Sequence, residues 1–210
     1  MSLYQTLLGH PFVYNHVRPF VVGGVDNSAS YGALGAGPDD VVLDVGCGTG
    51  DAMNYLPEVA AYRGYDTDPI AIEFARKQAA HKGLSRWQFE VGIVDRALVD
   101  KVAPSRVMLC GLLHHLSDEQ ALDLLRALGS SKSVQRIATS DVVYLPGKHL
   151  SNLFAWLDRG KFVRAVDGYR ALIRRAGLRI VEEKIVRSHP TNGRAEYLVF
   201  ALESAPETGS

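Results

Sequence analysis

The stretch VVLDVGCGTG, Val41 to Gly50, constrains the fold more than any other part of the chain. Four apolar residues, Val41, Val42, Leu43 and Val45, flank one acid, Asp44. They predict a short strand buried on both faces, as in a parallel sheet. Gly46, Gly48 and Gly50 follow at alternate positions. Lacking Cβ atoms, they let the backbone turn sharply and lie against a ligand. A strand running into such a turn is shaped to hold a nucleotide-like molecule.

The dinucleotide pattern GxGxxG puts a third glycine where a helix packs on the strand. Here that position is Asp51. An acid beside the place of a pyrophosphate repels it, so the loop suits a ligand without phosphates. S-adenosylmethionine, a sulfonium carrying an amino acid, is such a ligand. VLDVGCGTG resembles the first motif of class I S-adenosylmethionine-dependent methyltransferases. A tight turn in another α/β protein explains the glycines alone, so the downstream matches decide.

The second match is Asp66, twenty residues after Gly46 (66 − 46), at the carboxyl end of the next strand. An acid there accepts hydrogen bonds from both ribose hydroxyls. By the same resemblance Asp44 faces the methionine amine, directly or through water, and the backbone of Gly46, Cys47 and Gly48 lies along the amino-acid and ribose portion. Gly50 completes the turn, and Thr67 and Asp68 are expected to edge the adenine. The third family motif carries an acid directly after a glycine, but here Ile93 follows Gly92. Backbone atoms of Ile93 and Val94, or Asp95 two residues on, stand in for it.

The run CGLLHHLSDEQ, Cys110 to Gln120, resembles the LHHLSDE segment of many small-molecule and glycan-locus methyltransferases. Ligands in open α/β sheets lie at the carboxyl ends of strands near the reversal of strand order. Cys110 and Gly111 therefore belong to the cofactor site, and His114 and His115 start near the methyl group. Methyl transfer mainly requires alignment of nucleophile and methyl, and a hydroxyl nucleophile also loses a proton, which histidine accepts at neutral pH. Bracing of the following helix by backbone hydrogen bonds is the other reading of both rings.

Asp141, Tyr144 and the segment DRGKFVR, Asp158 to Arg164, are further substrate candidates, with Arg159, Lys161 and Arg164 suited to a phosphate or carboxylate. A solvated face accounts for the same basic run. The resemblance extends to this segment and so covers most of the chain. It also implies a helical lid over residues 1–35, in which Tyr14, with Tyr4, His10, Phe12, His16, Phe20 and, more weakly, Tyr31, shapes an apolar or sugar-stacking pocket. An inserted segment is expected over 144–166.

Strands at 41–45, 60–66, 87–91, 106–113 and 135–143 alternate with helices, and LRIVEEKIV and AEYLVFALE, joined by SHPTNGR, are too close for a crossover and predict a hairpin. The expected fold is a doubly wound Rossmann-like α/β sheet of seven strands, mostly parallel, the last antiparallel, with helices on both faces. Asp68 and Pro69 open a helix whose expected core stripe is Ile70, Phe74 and Gln78 with Ala71 and Ala75. Ser117 and Gln120 form a capping-box pattern before another.

With 210 residues the chain fits one domain, and 47% apolar with 22% charged residues describes an ordinary soluble protein. The 23 basic and 23 acidic residues cancel, which argues against a nucleic-acid partner. Neither an export signal nor an apolar run of about 20 residues appears, so no membrane partner is expected and the cytoplasm is the expected location. Cys47 and Cys110 read as reduced thiols. No metal is expected: His114 and His115 are adjacent, and CxxC and HExxH patterns are missing. The implied function is transfer of a methyl group from S-adenosylmethionine to oxygen, nitrogen or carbon of a small molecule, leaving S-adenosylhomocysteine. Two other readings stand beside it: a domain that binds the cofactor without catalysis, and an NAD-dependent dehydrogenase sharing Asp66. The acceptor and the oligomeric state are not readable from motifs.

Overall fold

The structure is a computed structural model and describes residues 24–158 and 160–205. The first element is helix α1 (Ser28–Leu34). Strand β1 (Val41–Val45), a 3-10 turn at Asp51–Asn54, β2 (Ala61–Asp66), α2 (Pro69–His81), β3 (Trp87–Val91) and α3 (Arg96–Val102) make up the first half. The second half begins with β4 (Arg106–Cys110), a 3-10 turn at Leu113–His115, α4 (Asp118–Gly129) and β5 (Arg136–Tyr144). Then come α5 (His149–Leu157), β6 (Arg164–Ala165), α6 (Val166–Arg175), β7 (Leu178–Arg187) and β8 (Glu196–Ser204).

The strands form one sheet in the order β3-β2-β1-β4-β5-β8-β7. Strands β1 to β5 pair in parallel, and β8 runs antiparallel to both β5 and β7. This is the expected doubly wound sheet. One element is added to it: the two-residue β6 pairs with the end of β5 through Val143 and Tyr144. The strand order reverses between β1 and β4 and places a crevice at their carboxyl ends.

Side chains along β1 serve both layers, as a doubly buried strand must. Leu43 and Val45 join a core with Val107, Leu109, Leu125 and Ile173, while Val42 joins Tyr62, Ile72, Ala75 and Phe89 on the opposite face. Helix α2 begins where expected, Asp68 accepting the Ile70 N–H at 2.8 Å, with Pro69 in the first turn. Its inner face differs from the expected stripe. Ala71, Ile72, Ala75 and Ala79 are buried, whereas Ile70 and Phe74 are 64% and 47% exposed. Alanines seat the helix close to the sheet, which turns the bulkier residues outward.

Helix α4 carries both capping-box hydrogen bonds, Gln120 N–H to Ser117 Oγ at 3.3 Å and Ser117 N–H to Gln120 Oε1 at 3.0 Å. Strand β4 stops at Cys110, short of the expected Leu113, because Gly111 adopts φ 67° and the chain turns. Helix α3, for which the sequence offers no periodic apolar stripe, is capped by Asp95. Most of the expected lid, Tyr14 included, and Arg159 lie outside the described residues.

Candidate functional site

The glycine turn is built on the end of β1. Gly46, Gly48 and Gly50 all hold positive φ, at 76°, 52° and 81°. The N–H groups of Gly46 and Cys47 both donate to the Tyr65 carbonyl, at 2.8 and 3.1 Å, which bends the chain across β2. The glycines then serve different ends. A Cβ on Gly50 would lie 2.5 Å from Met53 Cε and 3.1 Å from Phe89, so this residue is a packing requirement. A Cβ on Gly48 would meet nothing within 4 Å, because that side of the turn is open.

Asp66, at the end of β2, accepts the Gly48 N–H on Oδ2 at 2.9 Å and the Asp68 N–H on Oδ1 at 2.9 Å. Its carboxylate is thereby fixed beside the turn with lone pairs left for a ligand's hydroxyls. Asp44 sits beneath the same turn and is 1% exposed. Its Oδ2 accepts the Tyr62 hydroxyl at 2.6 Å, and its Oδ1 has no partner. Burial raises its pKa to about 7, against the lowering effect of the Tyr62 hydrogen bond.

A cavity of about 1180 Å³ opens in front of the turn. Gly46, Cys47, Gly48, Asp66 and Thr67 line one wall, and Ile93, Val94, Cys110 and Gly111 continue it. Gly50 and Asp44 lie behind that surface. Ile93, standing where the family motif carries an acid, is 80% exposed. Asp95 also reaches the cavity, but its carboxylate is engaged at the α3 N-terminus, accepting the Leu98 N–H at 2.8 Å. The far side is lined by Asn27, Tyr31, Ser140 and Tyr197. Of these the sequence singled out only Tyr31. Tyr197 arrives from β8 through its pairing with Val142, and no motif announces it.

The two histidines diverge. Their rings lie 4.2 Å apart between centroids, yet His115 is exposed on the cavity wall and His114 is 1% exposed behind it. His114 Nδ1 lies 2.7 Å from Asp141 Oδ1, which also accepts the His114 backbone N–H at 3.1 Å. On the opposite side Nε2 lies 3.1 Å from Asp158 Oδ1. Burial pushes the ring's pKa down, but the two carboxylates outweigh it and hold it up to about 9. A ring engaged on both nitrogens and kept from the cavity has no lone pair for an acceptor's proton. His114 is thus held behind the wall by two carboxylates rather than by backbone, and His115 is the imidazole that lines the cavity.

Among the expected substrate residues, Asp141, Tyr144 and Arg164 lie off the cavity wall. Asp141 is 2% exposed and faces His114 rather than the cavity. Tyr144 ends β5 beside β6, off the cavity wall. Arg164 turns inward, donating to the carbonyls of Leu113 and Leu116 at 2.8 Å each and to Asp118 at 2.7 Å, which commits it to the histidine turn. A Cβ on Gly160 would fall 2.1 Å from His114 Cδ2, and the Phe162 N–H donates to the His114 carbonyl at 2.9 Å. The segment after α5 therefore lies directly over His114, contacts made across more than forty residues that local pattern does not encode.

Residues 42–131 match the family model described as a methyltransferase domain. No curated protein sequence matches the chain. Among solved structures, the putative methyltransferase of Haloferax volcanii, crystallised with the Trm112 activator, is 14% identical, with a TM-score of 0.69 over 98% of this chain and 100% of that one. The mitomycin 7-O-methyltransferase MmcR is 19% identical at a TM-score of 0.68; 97% of this chain aligns with 61% of MmcR. The [4+2]-cyclase SpnF is 16% identical, with a TM-score of 0.67 over 98% of this chain and 97% of its own. The matched segment, 90 of the 210 residues, holds the glycine turn, Asp66 and the histidine turn, and the fold around it is that of the methyltransferases it resembles.

Proposed function

We propose that the protein moves the methyl group of S-adenosylmethionine to an oxygen or nitrogen of a small-molecule acceptor and releases S-adenosylhomocysteine. The supporting observation is the single cavity that joins the Asp66 side of the glycine turn to the His115 wall. Small-ligand sites run to roughly 1,000 Å³, and about 1180 Å³ leaves room for cofactor and acceptor together. The neighbour MmcR acts, by name, on mitomycin oxygen, which agrees with a small acceptor.

In this reading Asp66 accepts both ribose hydroxyls, the open side of Gly48 admits the ribose and amino-acid portion, and Ile93 covers the adenine. Asp44, with an unpartnered oxygen beneath the turn, offers the methionine ammonium a counter-charge. Cys110 and Gly111 border the methyl end. The acceptor lies against Asn27, Tyr31, Ser140 and Tyr197, with His115 beside it. Its lone pair attacks the methyl carbon, the carbon–sulfur bond breaks, and the sulfonium becomes a neutral thioether. The acceptor's proton leaves toward the His115 wall. Alignment and exclusion of water are the protein's main contributions.

Calorimetry with S-adenosylmethionine and with NAD on the wild-type protein and Asp66→Ala is the test. Loss of two charge-assisted hydrogen bonds weakens the first ligand about 10-fold or more, and NAD gives no heat. Unchanged affinity in Asp66→Ala, or preference for NAD, overturns the assignment. Radiolabelled methyl transfer into small molecules of a cell extract then separates an enzyme from a binding protein. SpnF, a cyclase, shows why that second measurement is needed on this fold.

A further inference from the structure

We infer that His114, His115 and Asp158 form a binding site for a divalent transition-metal ion, set just behind the His115 side of the cavity wall and steadied from behind by Asp141. One donor atom from each of the three residues lies within 4.8 Å of the others. The His114 Nε2 to Asp158 Oδ1 distance is 3.1 Å. Four-coordinate zinc, with bonds of about 2.0–2.1 Å to nitrogen and oxygen, requires ligand-to-ligand separations of roughly 3.3 Å. The pair therefore needs only a small adjustment, and the exposed His115 supplies the third donor by rotation of its side chain.

Three features of the surroundings point the same way. First, a metal-bound imidazole usually donates its other N–H to a carboxylate, and Asp141 already stands 2.7 Å from His114 Nδ1. Second, the side chains of His114, Asp141 and Asp158 are each 2% exposed, so two carboxylates share one ring out of water. Asp141 Oδ2 has no hydrogen-bond partner. A divalent ion on the ring gives both carboxylates a counter-charge. Third, the turn is held rigidly: Arg164 ties down the Leu113 and Leu116 carbonyls, and the Phe162 N–H ties down that of His114.

Two imidazoles and one carboxylate form the donor set of zinc and its neighbours, whereas magnesium takes oxygen ligands and keeps its water. Because His115 lines the cavity, an ion held with it borders the acceptor end. An acceptor hydroxyl bound there loses its proton more readily. That last role rests on the proposed methyl transfer; binding of the ion does not.

The test uses the full chain, dialysed against chelator, titrated with Co²⁺ by visible absorption and with Zn²⁺ in competition with a chromophoric chelator. The expected result is one ion per chain, with four-coordinate cobalt bands, and affinity reduced about 10-fold or more in both His115→Ala and Asp158→Asn. His115 is exposed, so its variant keeps the fold even where Asp158→Asn perturbs it. Absence of saturable binding in the wild type, or wild-type affinity in His115→Ala or in folded Asp158→Asn, overturns the site. Calorimetry with S-adenosylmethionine on the same samples keeps the readings apart, since cofactor binding survives loss of the ion site alone.

Discussion

The two walls of the cavity are held by different means. On the cofactor wall the backbone does the holding: amides of Gly46 and Cys47 converge on one carbonyl, and Asp66 takes the amides of Gly48 and Asp68. On the acceptor wall, buried charge does it, through one imidazole clasped between Asp141 and Asp158 and a guanidinium drawn onto carbonyls. Backbone bonds survive most side-chain changes. A buried charge cluster fails as a unit when one member leaves, because the charges that remain cannot reach water.

The largest expected effect follows from that difference. With divalent ions chelated, His114→Ala leaves two buried carboxylates facing each other and costs about 3–5 kcal/mol of stability, read as a lower denaturation midpoint in urea. Cofactor affinity in the protein that remains folded is expected to stay near the wild-type value. If His114→Ala is as stable as wild type, the acceptor wall is not held by charge and the comparison collapses.

The cofactor wall has one buried charge of its own, and it behaves differently with pH. Asp44 titrates near 3.8 in the unfolded chain and is raised to about 7 in the folded one. The folded state therefore holds the extra proton, and this contribution to stability is fully present below the unfolded pKa and lost as pH rises through about 7. The difference corresponds to at most about 4 kcal/mol between the two limits. Asp44→Asn cannot ionise and keeps an acceptor for the Tyr62 hydroxyl. Relative to wild type it should gain stability between pH 4 and about pH 7 in urea titrations and level off above. A constant gap across that range would show that Asp44 is ionised in the folded protein throughout.

The same division explains what was legible in the sequence. Glycines needed at positive φ and an acid at a strand end are fixed by local spacing, so the turn and Asp66 stand out from residue order alone. The order of elements follows from periodicity for the same reason. Helix α2 shows the limit: its composition marks a helix, but alanine seating turns Ile70 and Phe74 outward against the simplest apolar stripe. His114, Asp141 and Asp158 are joined across 27 and 44 positions through the two aspartate carboxylates. Adjacent histidines without metal-ligand spacing gave no hint that a loop after α5 closes on one of them. Arg164 reads as an exposed basic residue until its carbonyl partners are brought to it by β6.

The smallest effect is also the one that crosses between the walls. Ser117 begins α4 directly after the histidine turn, and its capping box is both visible in sequence and present in structure. Ser117→Ala removes the acceptor for the Gln120 N–H and costs about 1 kcal/mol, a modest fall in the denaturation midpoint. Asp118, next in the chain, is the carboxylate that holds Arg164 over the Leu113 and Leu116 carbonyls. Fraying of the first turn of α4 therefore loosens the clamp on the histidines, while the glycine turn, bonded to β2, is untouched. Paired measurements on Ser117→Ala should show cobalt binding or methyl transfer declining with cofactor affinity held. An equal decline in both would mean the two walls are mechanically one.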